Sequence, residues 1–177
     1  MSDFFSRLLE AREERWKRRL ALSRRGPLLT LTLNLPGPDK SLWLAFHAAV
    51  RDGLVQDLAD WGLEWVHVSS RQGAAGPEDH FLFSPSADPI QIKRGAIDLE
   101  EGQPAGRLLD LDVMAAGGKP LGRGDLGLPP RPCLCCPCPA RECAALRRHS
   151  AEEVLKAAQR LLDSFVSSRC LSGKYRD

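Results

Sequence analysis

The sequence of 177 residues lacks an excess of charge of either sign, because 25 Lys and Arg nearly balance 23 Asp and Glu. A net charge of +2 gives no overall field of the kind that attracts nucleic acid. No apolar run is long enough to span a bilayer, and the first residues have no signal-peptide pattern. There is no internal repeat and no glycine-rich phosphate loop of the Walker or dinucleotide-binding kind. We therefore expect a cytoplasmic protein with neither nucleic acid nor a membrane as a partner.

What the chain does contain is an ordinary globular composition, with 43% hydrophobic and 27% charged residues. Its length is enough for one domain with a substantial core. Six cysteines in a reducing compartment indicate free thiols or a metal site rather than disulfides.

Hydrophobic periodicity predicts both helices and strands. The N-terminal helix, from about residue 3 to 25, is expected to bury an apolar stripe made of Phe5, Leu8 or Leu9, Trp16 and Leu20. The other predicted elements are strands over 28–35, 63–68 and 80–83, helices over 42–61 and 89–102, a surface loop over 72–77 and a C-terminal helix after Ser150. For 89–102 a pair of strands is the alternative. This pattern predicts an α+β fold with a mixed, largely antiparallel sheet and flanking helices.

The segment from Gly106 to Val113 carries the most informative polar pattern. Its alternation sends the Leu and Val side chains into the core and places Asp110 and Asp112 together on the opposite face. Same-face neighbours lie about 6.5–7 Å apart along a strand, so both carboxylates can reach one divalent cation. Carboxylate-bound metals are typical of phosphoryl and nucleotidyl transfer. A solvated strand face is the alternative, and the spacing alone does not decide between them.

Residues 115–141 are rich in Gly, Pro and Cys, which predicts a long loop that needs to be pinned. Cys133 and Cys136 form one Cys-x-x-Cys pair, and Cys135 and Cys138 form a second pair that overlaps the first. Two further candidate metal ligands, Cys143 and His149, follow in the sequence. A tetrahedral zinc site with three thiolates and one imidazole fits four of them, namely Cys133, Cys136, Cys143 and His149. A loop of reduced thiols is the alternative.

Several short motifs occur in order along the chain: Glu13-Glu14-Arg15, Leu33 to Pro38 with Lys40, Gly106-Arg107-Leu108, Asp110 to Val113, Arg123, Arg131, Cys133-Leu134, Cys136, Cys143 and His149-Ser150. Together they resemble the holo-citrate lyase synthase family, also called apo-citrate lyase phosphoribosyl-dephospho-CoA transferase. The resemblance covers about Ala11 to Phe165. Two departures are local. Residues 103–105 read Gln-Pro-Ala where the family pattern has His-Pro-aliphatic, and Cys135 and Cys138 are additional.

The resemblance implies a single transferase domain over 1–177, nucleotidyltransferase-like in fold, with a Cys-rich loop at about 130–149. Such an enzyme transfers phosphoribosyl-dephospho-CoA from triphosphoribosyl-dephospho-CoA to a serine of the acyl carrier (gamma) subunit of citrate lyase, and pyrophosphate leaves. The implied site residues are Asp110 and Asp112 as Mg²⁺ ligands, Arg107 as a catalytic phosphate contact, and Asn34, Lys40 and Arg123 for substrate. Glu100 or Glu101 is a candidate third acidic ligand.

Two other functions fit the same residues. The Cys/His set could form the centre of a zinc-stabilised protein-binding module, with the basic N-terminal helix as its docking face. The same transfer could also act on another carrier protein, such as that of malonate decarboxylase. Metal content, Mg²⁺ dependence and pyrophosphate release distinguish the module from the enzyme.

Overall fold

The computed structural model of the chain describes residues 2–34, 43–102 and 105–171. Five α-helices occur in this part of the chain: α1 Ser2–Ser23, α2 Leu44–Asp60, α3 Pro89–Gly102, α4 Ala140–Ala145 and α5 Ala151–Leu171. Five strands accompany them: β1 Leu28–Leu33, β2 Trp65–Gly73, β3 Gly76–Phe83, β4 Leu109–Met114 and β5 Pro120–Leu121. The predicted α+β class is confirmed. No helix in the described ranges is both long and apolar enough to cross a bilayer.

The strands form one sheet in the order β2-β3-β1-β4-β5. Every pairing among the described residues is antiparallel, so the parallel component of a mixed sheet is not observed there. The segment over 89–102 is a helix, not the alternative strand pair. The surface loop expected over 72–77 is instead the tip of a hairpin, since Gly73 pairs with Gly76.

The two faces of the sheet differ in polarity because β1 alternates Leu with Thr. Leu29 and Leu31 of β1 are fully buried against α2, α3 and α5 in the main hydrophobic core. Thr30 and Thr32 lie on the opposite face, paired in register with Asp112 and Asp110. We call this second surface the polar face of the sheet.

Helix α1 lies against the polar face and contacts the sheet through arginines and also through Leu20 and Leu22, which pack on a small apolar cluster of Leu28, Leu82 and Met114. Arg15 and Arg18 both pair with the buried Glu78 of β3, Arg15 through a contact of 2.7 Å. Of the expected apolar stripe on this helix, Leu8 and Leu20 are partly buried, whereas the prediction is wrong for Trp16, which is 45% exposed. Leu9, the alternative to Leu8, is 65% exposed. Arginines of α1 contact the carboxylates of the sheet, and Leu9 and Trp16 do not lie over the small apolar cluster, so both remain largely in solvent.

Helix α3 protects the outer edge of β4, which β5 covers only at Val113 and Met114. Two α3 side chains bond to the backbone of Leu111. Glu100 accepts its N–H at 2.9 Å, and the buried Lys93 ammonium donates to its carbonyl at 2.9 Å. These bonds replace the strand partner that Leu111 lacks on this side, so α3 fixes the middle of β4.

Replacing Lys93 with Met should lower the free energy of unfolding by about 1–3 kcal/mol, because the Leu111 carbonyl would lose its charged partner in a buried setting. Lys156→Met is the matched control, since Lys156 is exposed and pairs only with Glu152 of the same helix. Urea unfolding of both variants measures the difference. Equal effects of the two substitutions would show that the Lys93 bond adds nothing to stability.

Candidate active site and Cys/His cluster

Strand β4 holds two carboxylates side by side on the polar face. The side chains of Asp110 and Asp112 are each 47% exposed, whereas Leu109, Leu111 and Val113 between and beside them are at most 2% exposed. The predicted alternation is therefore confirmed. Two oxygen-donor groups on one open face suit a hard cation such as Mg²⁺, which keeps several ligand positions for water and substrate phosphates. Their assignment as metal ligands stays a prediction.

Asp110 is surrounded by a hydroxyl and a guanidinium. The Thr32 hydroxyl donates to its carboxylate at 3.3 Å, and an Arg131 nitrogen lies 3.9 Å from the other oxygen. Partial burial raises the pKa of Asp110, and the nearby Asp112 carboxylate raises it further. A bound cation would relieve both effects, because it stabilises the ionised form.

Asp112 has a different partner. The Arg19 guanidinium of α1, itself buried, approaches its carboxylate to 2.6 Å. Helix α1 thus contributes directly to the candidate site. Arg19 did not emerge from the sequence because it is one of many arginines on a strongly charged helix.

Arg131 and Arg107 lie where the Cys-rich loop meets the start of β4. Arg131 donates to the carbonyls of Leu109 at 2.6 Å and Gly106 at 2.9 Å, and Arg107 donates to the carbonyl of Pro132. Partial burial and the Arg131 charge lower the pKa of Arg107. The loop is thereby fastened to the strand that carries the carboxylates.

Gly106 is required here by a close approach of the backbone. A Cβ atom at this position would lie 2.1 Å from the Glu100 carbonyl oxygen at the end of α3. This contact gives a physical reason for the glycine in the Gly106-Arg107-Leu108 motif, since a larger residue would displace the start of β4 from α3.

A cavity of about 640 Å³ opens beside these groups, between the start of β4, the Cys-rich loop and the start of α5. Five of the predicted site residues line it together with Arg131, namely Asn34, Arg107, Cys133, Cys143 and His149. Arg123 is placed elsewhere and pairs with Glu101 at 2.7 Å and with Glu100 at 3.6 Å. Lys40 lies outside the described residues.

Glu100 is not positioned as a third carboxylate ligand. It is 5% exposed, and its carboxylate accepts the Leu111 N–H and lies 3.6–3.9 Å from Arg123 and Arg131. We therefore assign Glu100 to the support of β4. Glu101 is exposed and paired with Arg123.

The Cys-rich loop brings four predicted metal ligands together. The candidate ligand atoms of Cys133, Cys136, Cys143 and His149 all lie within 4.8 Å of one another. The Cys136 sulfur is 3.5 Å from that of Cys143 and 3.3 Å from the His149 Nε2 atom. Tetrahedral zinc with thiolate bonds of about 2.3 Å needs sulfur–sulfur separations of about 3.8 Å, so the donor set fits this metal. We call these four residues the Cys/His cluster.

The loop backbone supports the cluster. The Cys133 N–H donates to the Cys138 carbonyl at 2.7 Å and the Ala140 N–H to the Arg131 carbonyl at 2.9 Å, which closes a tight turn around the interleaved cysteines. Helix α4, which the sequence did not predict, carries Cys143 inward to 4% exposure.

The thiols of the cluster differ in acidity. Hydrogen bonds from the Cys138 backbone and from His149 lower the pKa of Cys136 to about 6. Burial and the Cys136 thiol raise the pKa of Cys143 to about 12. A cation bound among them would favour the thiolate at both positions, because only thiolates ligate zinc strongly.

Comparison with known proteins decides the family. The family described as apo-citrate lyase phosphoribosyl-dephospho-CoA transferase matches residues 5–165. The chain belongs to this transferase family. A protein of Streptococcus pyogenes serotype M18, strain MGAS8232, named "Probable apo-citrate lyase phosphoribosyl-dephospho-CoA transferase", is 37% identical over 174 residues, covering 92% of this chain and 86% of the relative. A second relative, from Escherichia coli O7:K1, strain IAI39, is named "Apo-citrate lyase phosphoribosyl-dephospho-CoA transferase". It is 34% identical over 161 residues, which cover 88% of this chain and 86% of the relative.

Membership of the transferase family confirms the resemblance that the motifs indicated. It also shows that the chain is a transferase rather than a binding module alone. The roles of the individual residues, including those of Asp110, Asp112 and the Cys/His cluster, stay predictions that rest on the geometry above.

Proposed function

We propose that this transferase moves phosphoribosyl-dephospho-CoA from triphosphoribosyl-dephospho-CoA to a serine of the citrate lyase acyl carrier subunit, acting as one domain. Family membership supports the transfer of this group. The open face shared by Asp110 and Asp112 is the observation that carries the nucleotidyl-type reaction, because paired carboxylates suit a metal bound to a polyphosphate.

In the proposed step the serine Oγ forms a bond to the α-phosphorus of the triphosphate. The bond from that phosphorus to the bridging oxygen breaks, and pyrophosphate leaves with the electron pair. One of the two carboxylates accepts the hydroxyl proton. Mg²⁺ held by Asp110 and Asp112 would supply charge neutralisation at the phosphate oxygens. Arg131, beside Asp110, and Arg107 place two further cations where negative charge develops on the leaving group.

We also propose that the Cys/His cluster binds one structural zinc ion. Its four donors support a closed site, since structural zinc is four-coordinate whereas catalytic zinc keeps an open position. Through Arg131 and Arg107 the zinc-bound loop would hold the wall of the cavity against β4.

The direct test is intact-mass spectrometry of the apo acyl carrier incubated with this protein, Mg²⁺ and triphosphoribosyl-dephospho-CoA. We expect the carrier to gain the mass of one phosphoribosyl-dephospho-CoA group, with one pyrophosphate released per carrier. A carrier in which the acceptor serine is replaced by Ala is the control and should gain no mass.

Two outcomes would contradict the proposal. A mass gain without pyrophosphate would exclude nucleotidyl-type transfer, and no gain would exclude this donor and acceptor pair. A parallel incubation with the malonate decarboxylase carrier tests the acceptor. If only that carrier were modified, the proposed transfer reaction would stand, but the acceptor would be the malonate decarboxylase carrier.

A further inference from the structure

Three arginines line the cavity beside β4. They are Arg107, Arg131 and Arg147, and the described lining residues include no carboxylate. The remaining wall includes Cys133, Cys143 and His149 of the Cys/His cluster, and small or apolar residues such as Leu134, Ala144 and Val154. Three lining arginines without a lining carboxylate favour a ligand with several negative charges.

The cavity lies next to the candidate active site, and two residues connect them. Arg131 both lines the cavity and lies 3.9 Å from the Asp110 carboxylate. Asn34, on the cavity wall, directly follows β1, where Thr32 bonds to Asp110 at 3.3 Å. A polyphosphate bound to a cation that Asp110 and Asp112 would hold could therefore reach these arginines.

Arg147 is unusual in its backbone. Its φ of +46° makes it the only residue other than glycine with a positive φ in the described ranges. It follows the Leu146 cap of α4, and the Arg148 N–H closes the helix end on the Cys143 carbonyl at 3.0 Å. A residue with positive φ just after the end of a helix is ordinarily glycine, because other residues are strained in this backbone conformation. Arg147 therefore adopts a strained backbone.

Among the described residues, Arg107 also has an unsatisfied donor. Its Nε atom is buried and has no hydrogen-bond partner. Buried donors are almost always paired in native structures, so an unpaired one in the wall of a cationic cavity agrees with a ligand-bound state in which it is satisfied.

We infer that Arg107, Arg131 and Arg147 form the subsite for the pyrophosphate end of the donor, with Arg147 as a substrate-binding residue. This inference rests on the proposed function and deepens it, because it places the leaving group on the side of the carboxylates that faces the cavity. The guanidinium groups bind the β and γ phosphates before the reaction and the free pyrophosphate after it.

The test measures binding of inorganic pyrophosphate to the full chain by isothermal titration calorimetry in the presence of Mg²⁺. Arg147→Gly should weaken binding at least tenfold, the loss expected for one charge-assisted contact. It should also leave the melting temperature equal or higher, since glycine relieves the positive φ. Arg141→Ala is the matched control, because it removes the same charge from α4 outside the cavity lining and should leave binding unchanged.

The outcomes separate this inference from the proposed function. Equal pyrophosphate affinity of the wild type and Arg147→Gly, or no binding by the wild type, would overturn the subsite. If Arg147→Gly lost binding of dephospho-CoA but kept binding of pyrophosphate, the cavity would be the site of the nucleotide end of the donor. That result would also overturn the pyrophosphate subsite. If the carrier gains no mass but Arg147→Gly still loses pyrophosphate, the subsite stands and the proposed transfer fails.

Discussion

Asp110→Asn is expected to lower the rate of transfer at least about a thousandfold, which corresponds to about 4 kcal/mol of transition-state free energy. The amide keeps the shape of the side chain but, on the proposed function, removes a negative ligand from the cation that would neutralise the triphosphate. The measurement is the initial rate of carrier modification by mass spectrometry at saturating donor. A rate within tenfold of the wild type would remove Asp110 from the mechanism.

The same substitution should stabilise the folded chain. Partial burial and Asp112 raise the pKa of Asp110 in the folded state, so ionisation costs folding free energy above the unfolded-state pKa of about 3.9. The cost grows as the pH rises above that value and disappears as the pH falls below it. Metal-free Asp110→Asn should therefore melt at a higher temperature than the wild type at pH 7, and the difference should vanish at low pH.

Asp112→Asn provides the matched comparison. It should be equally inactive but less stable by about 1 kcal/mol or more, because it removes the charge that pairs with the buried Arg19 at 2.6 Å. Opposite changes in melting temperature with the same loss of activity would separate the electrostatic roles of the two carboxylates. If both variants melted at a higher temperature than the wild type, the ion pair between Arg19 and Asp112 would not contribute to the stability of the fold.

Cys143→Ala is expected to abolish zinc binding and to lower the melting temperature by about 10 °C or more. Cys143 is the buried member of the Cys/His cluster, and the free energy of binding a structural zinc contributes directly to folding. Inductively coupled plasma mass spectrometry of the purified chain should give one zinc per wild-type molecule and none for the variant.

Cys135→Ala is the control for this prediction. Cys135 lies within the same loop, between Cys133 and Cys136, but is not one of the four clustered ligands. We expect it to retain one zinc and a melting temperature near that of the wild type. Retention of zinc by Cys143→Ala, or its loss from Cys135→Ala, would refute the assignment of ligands.

Strand β4 shows which features the sequence could predict. The alternation from Leu109 to Val113 depends only on the two-residue period of a strand, so the shared face of the carboxylates was predictable without the fold. The same holds for the capping box of α5, where Ser150 and Glu153 exchange bonds of 2.7 and 3.1 Å. Both patterns are local.

The partners of the carboxylates were not predictable in this way. Arg19 reaches Asp112 from 93 residues away, and Arg131 reaches Asp110 only because the Cys-rich loop folds back onto β4. The exposed Trp16 has the same origin, since its exposure depends on where the small apolar cluster lies below α1. Arg147 gave no sequence signal, because its positive φ follows from the end of a helix that the sequence did not predict.

The bonds from α3 to Leu111 also restrict how a protein acceptor can approach. With Lys93 and Glu100 on the main-chain groups of Leu111, an incoming polypeptide cannot align itself as an extra strand alongside that part of β4. On the proposed function, the acceptor serine must enter over the open surface above Asp110 and Asp112. Recognition of the carrier would then depend on side-chain contacts around that opening rather than on main-chain pairing.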